Sequence, residues 1–250
     1  MDRLTLVNRE REAATPEQLA ALDTLADRRL AGEPVSRIIG EKEFWGLSFR
    51  LNDATLVPRP ETEMLVQRGI EEVGGLEQPR ILDLGTGTGC IAIALLTEVP
   101  EMAAVAVDLA EEALAMARFN ARRHGVADRF EGRQGSWFDP IEPAERFDLI
   151  ISNPPYIESA AIGTLMVEVR EHDPRLALDG GPDGVRPYRA IAREAASFLK
   201  PGGALLLEIG TGQGAAVTDI LAEAGFKQIE VEYDLGGHER MIVARISAAP

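Results

Sequence analysis

The chain runs to 250 residues, 45% hydrophobic and 27% charged, a size and balance that suit one α/β domain with a small attachment. Its 41 acidic residues against 26 basic ones give a formal charge of −15, and no Lys/Arg cluster breaks that balance, so direct nucleic-acid binding is not expected. No apolar run approaches the roughly 18 residues of a membrane helix, no signal segment is apparent, and the single Cys90 excludes an internal disulfide; a cytoplasmic protein away from membranes is expected.

In chain order, Thr15-Pro16-Glu17-Gln18 is a capping box with proline at the first helical position. The helix it opens carries Leu19, Leu22, Leu25, Ala26 and Leu30 on one face and stops near Gly32-Glu33-Pro34. "RIIGEKEFWGLSFRLN" predicts a hairpin turning at Trp45-Gly46. "VPRPETEMLVQRGIEEVGG" reads as a loop followed by a helix from Pro60 to about Val73, stopped by Gly74-Gly75. From Arg80 strands and helices alternate: "RILDLG", "AAVAVDL", "RFEGRQG" and "RFDLIISN" are strands, separated by helices at "GCIAIALLTEV" and "AEEALAMARFNARRHG". A long insertion follows, then a helix at about Tyr188–Phe198, the strand "GALLLEIG", a helix at about Gly214–Ala224 and closing strands near 227–233 and 240–246. The alternation predicts a doubly wound α/β sheet of seven strands, the last antiparallel, over residues 76–250, behind a helix-and-hairpin module at 1–75.

Between the first strand of that sheet and its helix, "DLGTGTG" places Gly85, Gly87 and Gly89 around Thr86 and Thr88. Glycines let a ligand approach the backbone, and a helix N-terminus offers free N–H groups to an anion. The spacing is G-x-G-x-G rather than the G-x-G-x-x-G of dinucleotide sites. Asp108 ends the next strand, 25 residues after Asp83, where a carboxylate can accept from both hydroxyls of a ribose. Together they describe a nucleoside pocket with a small anionic end, such as the carboxylate of S-adenosylmethionine. Trp137, in "GSWFDP" at the same sheet edge, is placed to pack against an adenine or to serve as a rim aromatic.

"ISNPPYIES" ends the fourth strand of the sheet on Asn153. Asn offers an acceptor and two donors. Pro154 and Pro155 lack N–H groups and fix φ, so the loop presents carbonyls without competing donors. Tyr156 adds a flat ring. The set reads as an acceptor-lined slot for a planar –NH₂ group, in which the Asn153 oxygen and the Pro154 carbonyl hold two hydrogens and aim a weak nitrogen nucleophile at a sulfonium methyl. A structural Asn-Pro turn is the plainer alternative.

"DLGTGTG", "VDL", "SWF" and "NPPY", in this order, resemble the class I (Rossmann-like) methyltransferases that use S-adenosylmethionine to modify planar nitrogen. "EFWGLSFRLNDATLVPRPETE" is similar to the HemK/PrmC family, the N5-glutamine methyltransferases of peptide-chain release factors, a likeness covering about residues 30–245. The resemblance implies cofactor contacts from Gly85, Thr86, Gly87, Thr88, Gly89, Asp108, Trp137 and Asn153. It implies that Asn153, Pro154, Pro155 and Tyr156 hold the substrate glutamine, with Asn153 and Pro154 the catalytic pair, Leu56 lining the pocket and "PRPETE" helping to close it. It further implies release factors as protein partners, read at a Gly-Gly-Gln loop. Two departures stand out. The leader before the hairpin is short for the family, so a shortened substrate-docking region is expected, and Arg37 stands where an aromatic residue is common.

Rival readings are a glutamine methyltransferase of a ribosomal protein, a nucleic-acid amino-methyltransferase disfavoured by the charge, and a release-factor-binding module without turnover. Glu171, Asp173 and Arg175 read either as a charged lid or as a solvated loop with weak exposed ion pairs. His124, His172 and His238 lack paired ligand spacing, so no metal site is expected. Cys90 is expected to be a small packing residue, and Glu208 to organise the site rather than act as a base.

Overall fold

A computed structural model describes residues 3–10 and 12–246 of the chain. A short helix α1 (Arg3–Asn8) precedes α2 (Pro16–Leu30), which starts as its capping box requires: Thr15 Oγ1 accepts from the Gln18 N–H while the Gln18 side chain accepts from the Thr15 N–H. Among the described residues, nothing covers the apolar face of α2, however. Leu19, Leu22, Leu25 and Leu30 are between 42% and 86% exposed, and no residue of the helix is buried. The "RII" segment, expected within the hairpin, instead forms a short helix α3 (Val35–Ile39) that Gly40 ends at φ 76°. Strands β1 (Glu41–Phe44) and β2 (Leu47–Arg50) then pair antiparallel. Their turn lies at the expected Trp45-Gly46, with both φ values positive (54° and 69°), as a two-residue turn matching the strand twist requires.

A single 3-10 turn (Pro60–Thr62) leads into α4 (Glu63–Val73). Next come β3 (Arg80–Leu84), α5 (Cys90–Glu98), β4 (Ala103–Asp108), α6 (Glu111–Arg123), β5 (Phe130–Gln134) and β6 (Phe147–Ser152). The insertion holds a small parallel pair, β7 (Ile157–Glu158) and β8 (Asp179–Gly181), around α7 (Val167–Arg170). The chain closes with α8 (Arg186–Phe198), β9 (Leu199–Glu208), α9 (Gly214–Glu223), β10 (Gln228–Tyr233) and β11 (Glu239–Arg245).

The main sheet has seven strands in the order β10-β11-β9-β6-β3-β4-β5. All neighbours from β9 to β5 are parallel, and β11 runs antiparallel to both β9 and β10. Strands such as "ILDL" and "LIIS" are buried throughout and mostly apolar because helices cover both faces. The period of two divides their side chains between two cores. Ile81, Leu149 and Ile151 face α4, α5 and α6, whereas Leu82, Leu84 and Ile150 face α8 and α9. Each such fully buried aliphatic side chain contributes about 1.5–3 kcal/mol. Although α4 falls in the 1–75 segment, it packs on α5, β6 and β9 and shares the first core. The winding reverses between β3 and β6, which opens a crevice beyond their C-terminal ends. Among the described residues no helix is long and apolar enough to cross a membrane.

Candidate active site

The glycine loop is pinned by the neighbouring strand. The N–H groups of Gly85 and Thr86 both donate to the Val107 carbonyl, at 2.8 and 3.0 Å, and the Gly87 N–H donates to Asp108 Oδ2 at 2.8 Å. Gly85, Gly87 and Gly89 have φ of 74°, 56° and 80°, which an L side chain adopts only with strain. Space at Gly87 is open, as approach of a ligand requires, whereas a Cβ on Gly89 would stand 2.8 Å from Ile93 and 3.2 Å from Ala117. Gly89 therefore lets α5 and α6 pack closely.

Two acids flank this loop. Asp108 Oδ1 accepts from the Ala110 N–H at 3.0 Å, and burial raises its carboxyl above the ordinary range against three backbone N–H bonds that lower it. Asp83 is fully buried; Oδ2 accepts from the Thr86 hydroxyl at 2.6 Å, while Oδ1 has no hydrogen-bond partner among the described residues. Burial pushes Asp83 up to about 7, against the hydrogen bond from Thr86. Trp137 holds a φ of 49°, a left-handed conformation unusual outside glycine, and its ring lies 3.9 Å from the position of a Cβ on Gly85.

A cavity of about 480 Å³ runs along these groups. Of the residues the sequence singles out, Leu56, Gly85, Thr86, Gly87, Thr88, Asp108, Trp137, Asn153 and Pro155 line it; Gly89, Pro154 and Tyr156 do not. The opposite wall comes from Arg59 and Thr62 before α4, and from Leu176, Ala177 and Arg186 in and after the insertion. Sequence reasoning assigned no role to these individually, although Arg59 and Thr62 lie within "PRPETE".

At the end of β6, Asn153 Nδ2 donates to Thr62 Oγ1 at 3.2 Å, and Thr62 Oγ1 donates to Glu208 Oε2 at 2.7 Å. Tyr156 turns its hydroxyl inward to Glu208 Oε1 at 3.4 Å rather than presenting its ring to the cavity. Its carbonyl accepts from Gln213 Nε2 at 3.0 Å, and Gln213 Oε1 accepts from the Gly210 N–H at 2.9 Å, so the start of α9 fastens the loop. Burial pushes Glu208 up to about 7, against its bond from Thr62 and the charge of Arg240. Burial, and then the charge of Glu208, push Tyr156 to about 12.

Arg37 carries more than its sequence position suggested. Its guanidinium donates to the Asn52 and Thr55 carbonyls and to Asp173 Oδ1, the last at 2.8 Å. Asp173 also accepts from Arg59 Nη2 at 2.7 Å and from the Val57 N–H at 3.3 Å. The Arg37 and Asp173 side chains are only 6% and 1% exposed, so this is a buried junction and not a solvated loop. The solvated reading does hold for Arg175 and Glu171, which make exposed pairs with Asp179 and Arg170. Asn120, wholly buried, joins the hairpin to the glycine loop by accepting from the Arg50 N–H and donating to the Arg50 and Thr88 carbonyls. Among the described residues no group of three or more His, Cys, Asp or Glu is placed to hold a metal ion.

Residues 61–181 match the family model of the methyltransferase small domain, and residues 1–40 match that of the PrmC N-terminal domain. A release factor glutamine methyltransferase from Bradyrhizobium diazoefficiens is 47% identical over 98% of this chain and 83% of its own length. The chain belongs to the release factor glutamine methyltransferase family. Another member, from Cereibacter sphaeroides, is 47% identical over 94% of the chain and 82% of its own length. In solved structures the family's fold recurs at low identity. A ribosomal protein L11 methylase from Lactobacillus delbrueckii subsp. bulgaricus superposes with a TM-score of 0.56 at 20% identity, covering 76% of this chain and 80% of its own. A methyltransferase from Pyrococcus furiosus gives 0.56 at 17% identity, over 88% of this chain and 96% of its own.

Proposed function

We propose that this protein transfers a methyl group from S-adenosylmethionine to the side-chain nitrogen of the glutamine in the Gly-Gly-Gln loop of peptide-chain release factors, in the cytoplasm. The observation that carries this reading is one continuous cavity with the glycine loop and Asp108 at one side and Asn153 at the other. The donor set fits S-adenosylmethionine: open space at Gly87, an acidic acceptor at Asp108 for a ribose, and Trp137 beside Gly85 for a flat base. Bound there, the cofactor would supply an electrophilic methyl on a sulfonium.

The chain's own groups do the rest by placement. An amide nitrogen is a weak nucleophile because its lone pair is delocalised into the carbonyl. Asn153 lines the cavity and Pro154 does not, so the Asn153 oxygen is the acceptor that holds a hydrogen of the substrate amide, which orients the lone pair and stabilises positive charge on nitrogen. Correct placement alone supplies up to about 7–11 kcal/mol in favourable intramolecular cases. With such a slot no strong base is needed, which agrees with Glu208 being buried and tied to Thr62 and Tyr156.

Mass spectrometry of a release factor incubated with this protein and S-adenosylmethionine tests the reading. One added methyl on the glutamine of the Gly-Gly-Gln loop is the expected result, with a short loop peptide a much poorer substrate, because the slot sees one amide and further contacts must select the protein. A release factor left unmodified under conditions where the cofactor binds would sink it.

A further inference from the structure

The amide of Asn153 has two ends of opposite character, and only one suits an incoming –NH₂. Its oxygen accepts and its nitrogen donates, so a slot for a glutamine amide needs the oxygen turned toward the substrate. The nitrogen is drawn away to Thr62 Oγ1, at 3.2 Å. The direction of that bond depends on where the single hydroxyl proton of Thr62 goes. It goes to Glu208 Oε2, 2.7 Å away, which leaves the hydroxyl oxygen free to accept. Thr62 and Glu208 are 3% and 2% exposed, so water competes little for either group.

Building on the glutamine-methylation reading above, we propose that Thr62 and Glu208 are positioning residues: together they fix the orientation of the Asn153 amide so that its oxygen faces the substrate nitrogen. The polarity of the relay has a consequence. If Glu208 carried a proton and donated it to Thr62, the hydroxyl would turn its own proton to Asn153, and the amide would flip. Its –NH₂ would then meet the –NH₂ of the substrate, donor against donor. Ionised Glu208 is therefore the working form. The groups around it are Glu61 beside Thr62, Tyr156 from the Asn-Pro-Pro-Tyr loop, Tyr188 on α8, whose hydroxyl donates to the Glu208 carbonyl, Cys90 on α5, and Arg240 on β11. Burial and Glu61 favour the protonated acid, while Arg240 and the bonds from Thr62 and Tyr156 favour the carboxylate.

Thr62→Val keeps the shape of the side chain and removes the hydroxyl, whereas Thr62→Ser keeps the hydroxyl. The valine variant is expected to lose about tenfold in single-turnover rate, the worth of one correctly directed hydrogen bond, with cofactor affinity unchanged and serine restoring the rate. In an Asn153→Ala background Thr62→Val should cost nothing more, whereas a structural role would cost the same in both backgrounds. Glu208→Gln, which retains an oxygen to accept from Thr62, should flatten a rise of the rate with pH through the neutral range. Independently of activity, the ¹⁵N resonance of the Asn153 side chain, identified by its loss in Asn153→Ala, should exchange slowly with solvent in the wild type and in Thr62→Ser and rapidly in Thr62→Val. A full rate in Thr62→Val, additive losses with Asn153→Ala, or an unaltered Asn153 resonance would each overturn the proposal. Failure of the wild type to methylate any release factor would overturn the functional reading instead, and the resonance would still decide the orientation of the amide.

Discussion

At the scale of single residues, the site works by fixing most of its polar atoms against specific partners. Asp108 shows how little slack this leaves: one oxygen fixes Gly87 and the other caps the turn at Ala110, so the ligand must use the remaining lone pairs. Asp108→Ala removes the ribose acceptor and loosens the glycine loop. It should weaken S-adenosylmethionine binding by about 1.5–3 kcal/mol, the range for hydrogen bonds to a charged group. Isothermal calorimetry on the folded variant measures this directly, and an unchanged affinity would remove Asp108 from cofactor binding.

At the scale of elements, two long-range contacts shape the cavity. The insertion returns to the Asn-Pro-Pro-Tyr loop through the β7–β8 pair, where Gly180 leaves no room for a side chain. A Cβ there would lie 2.7 Å from the Gly184 carbonyl and 2.8 Å from the Tyr156 Cα. Both neighbours are backbone, so relief requires the loop itself to move. Gly180→Ala is expected to cost about 1–3 kcal/mol of stability and to lower kcat more than it weakens cofactor binding. Denaturant unfolding with parallel kinetics checks this; wild-type kcat in the alanine variant would show that the pair does not position the loop. The second contact is the Arg37–Asp173–Arg59 junction, which ties α3 and the loop before α4 to the insertion. Asp173→Asn leaves the Arg37 guanidinium buried without its counter-charge, a change that costs about 3–5 kcal/mol. Adding Arg37→Met should recover part of that loss, since it removes the orphaned charge. A urea midpoint in Asp173→Asn equal to that of the wild type would contradict the account.

For the whole molecule, buried and paired acids predict a stability curve with two limbs. Arg123 and Ser48 hold Glu41 down at about 2, and Arg133 holds Glu145 there. Depressed acids contribute stability that is present above the unfolded value and lost as pH falls through the folded one. Asp83 and Glu208, raised by burial to about 7, act with opposite sign: their contribution is complete near pH 4 and is lost as pH rises through 7. Thermal unfolding of the cofactor-free protein should therefore peak near about pH 4–5, decline as pH rises to about 7 and level off beyond that. Asp83→Asn should flatten that decline between about pH 4 and 7, and an equally steep decline in that variant would rule out Asp83 as a source.

The sequence by itself determined what is encoded among near neighbours in the chain. Short apolar runs alternating with helical stretches determined the strands of the sheet, the capping box at Thr15 began α2, the Trp45-Gly46 turn set the hairpin, and the glycine spacing with Asp108 marked one side of the cavity. Each of these signals acts over a few residues and needs no knowledge of what lies opposite. Tertiary structure alone decided how distant positions meet. The amphipathic pattern of α2 named an apolar face but not whether anything covers it, and the described residues leave it exposed. Thr62 stands 91 residues before Asn153 and 146 before Glu208, and Arg37 stands 136 before Asp173. A threonine in a single turn or an arginine in a short helix has no local pattern that announces a buried partner. Its polarity becomes decisive only when the sheet closes, water leaves, and each buried donor must find the acceptor that the fold brings beside it.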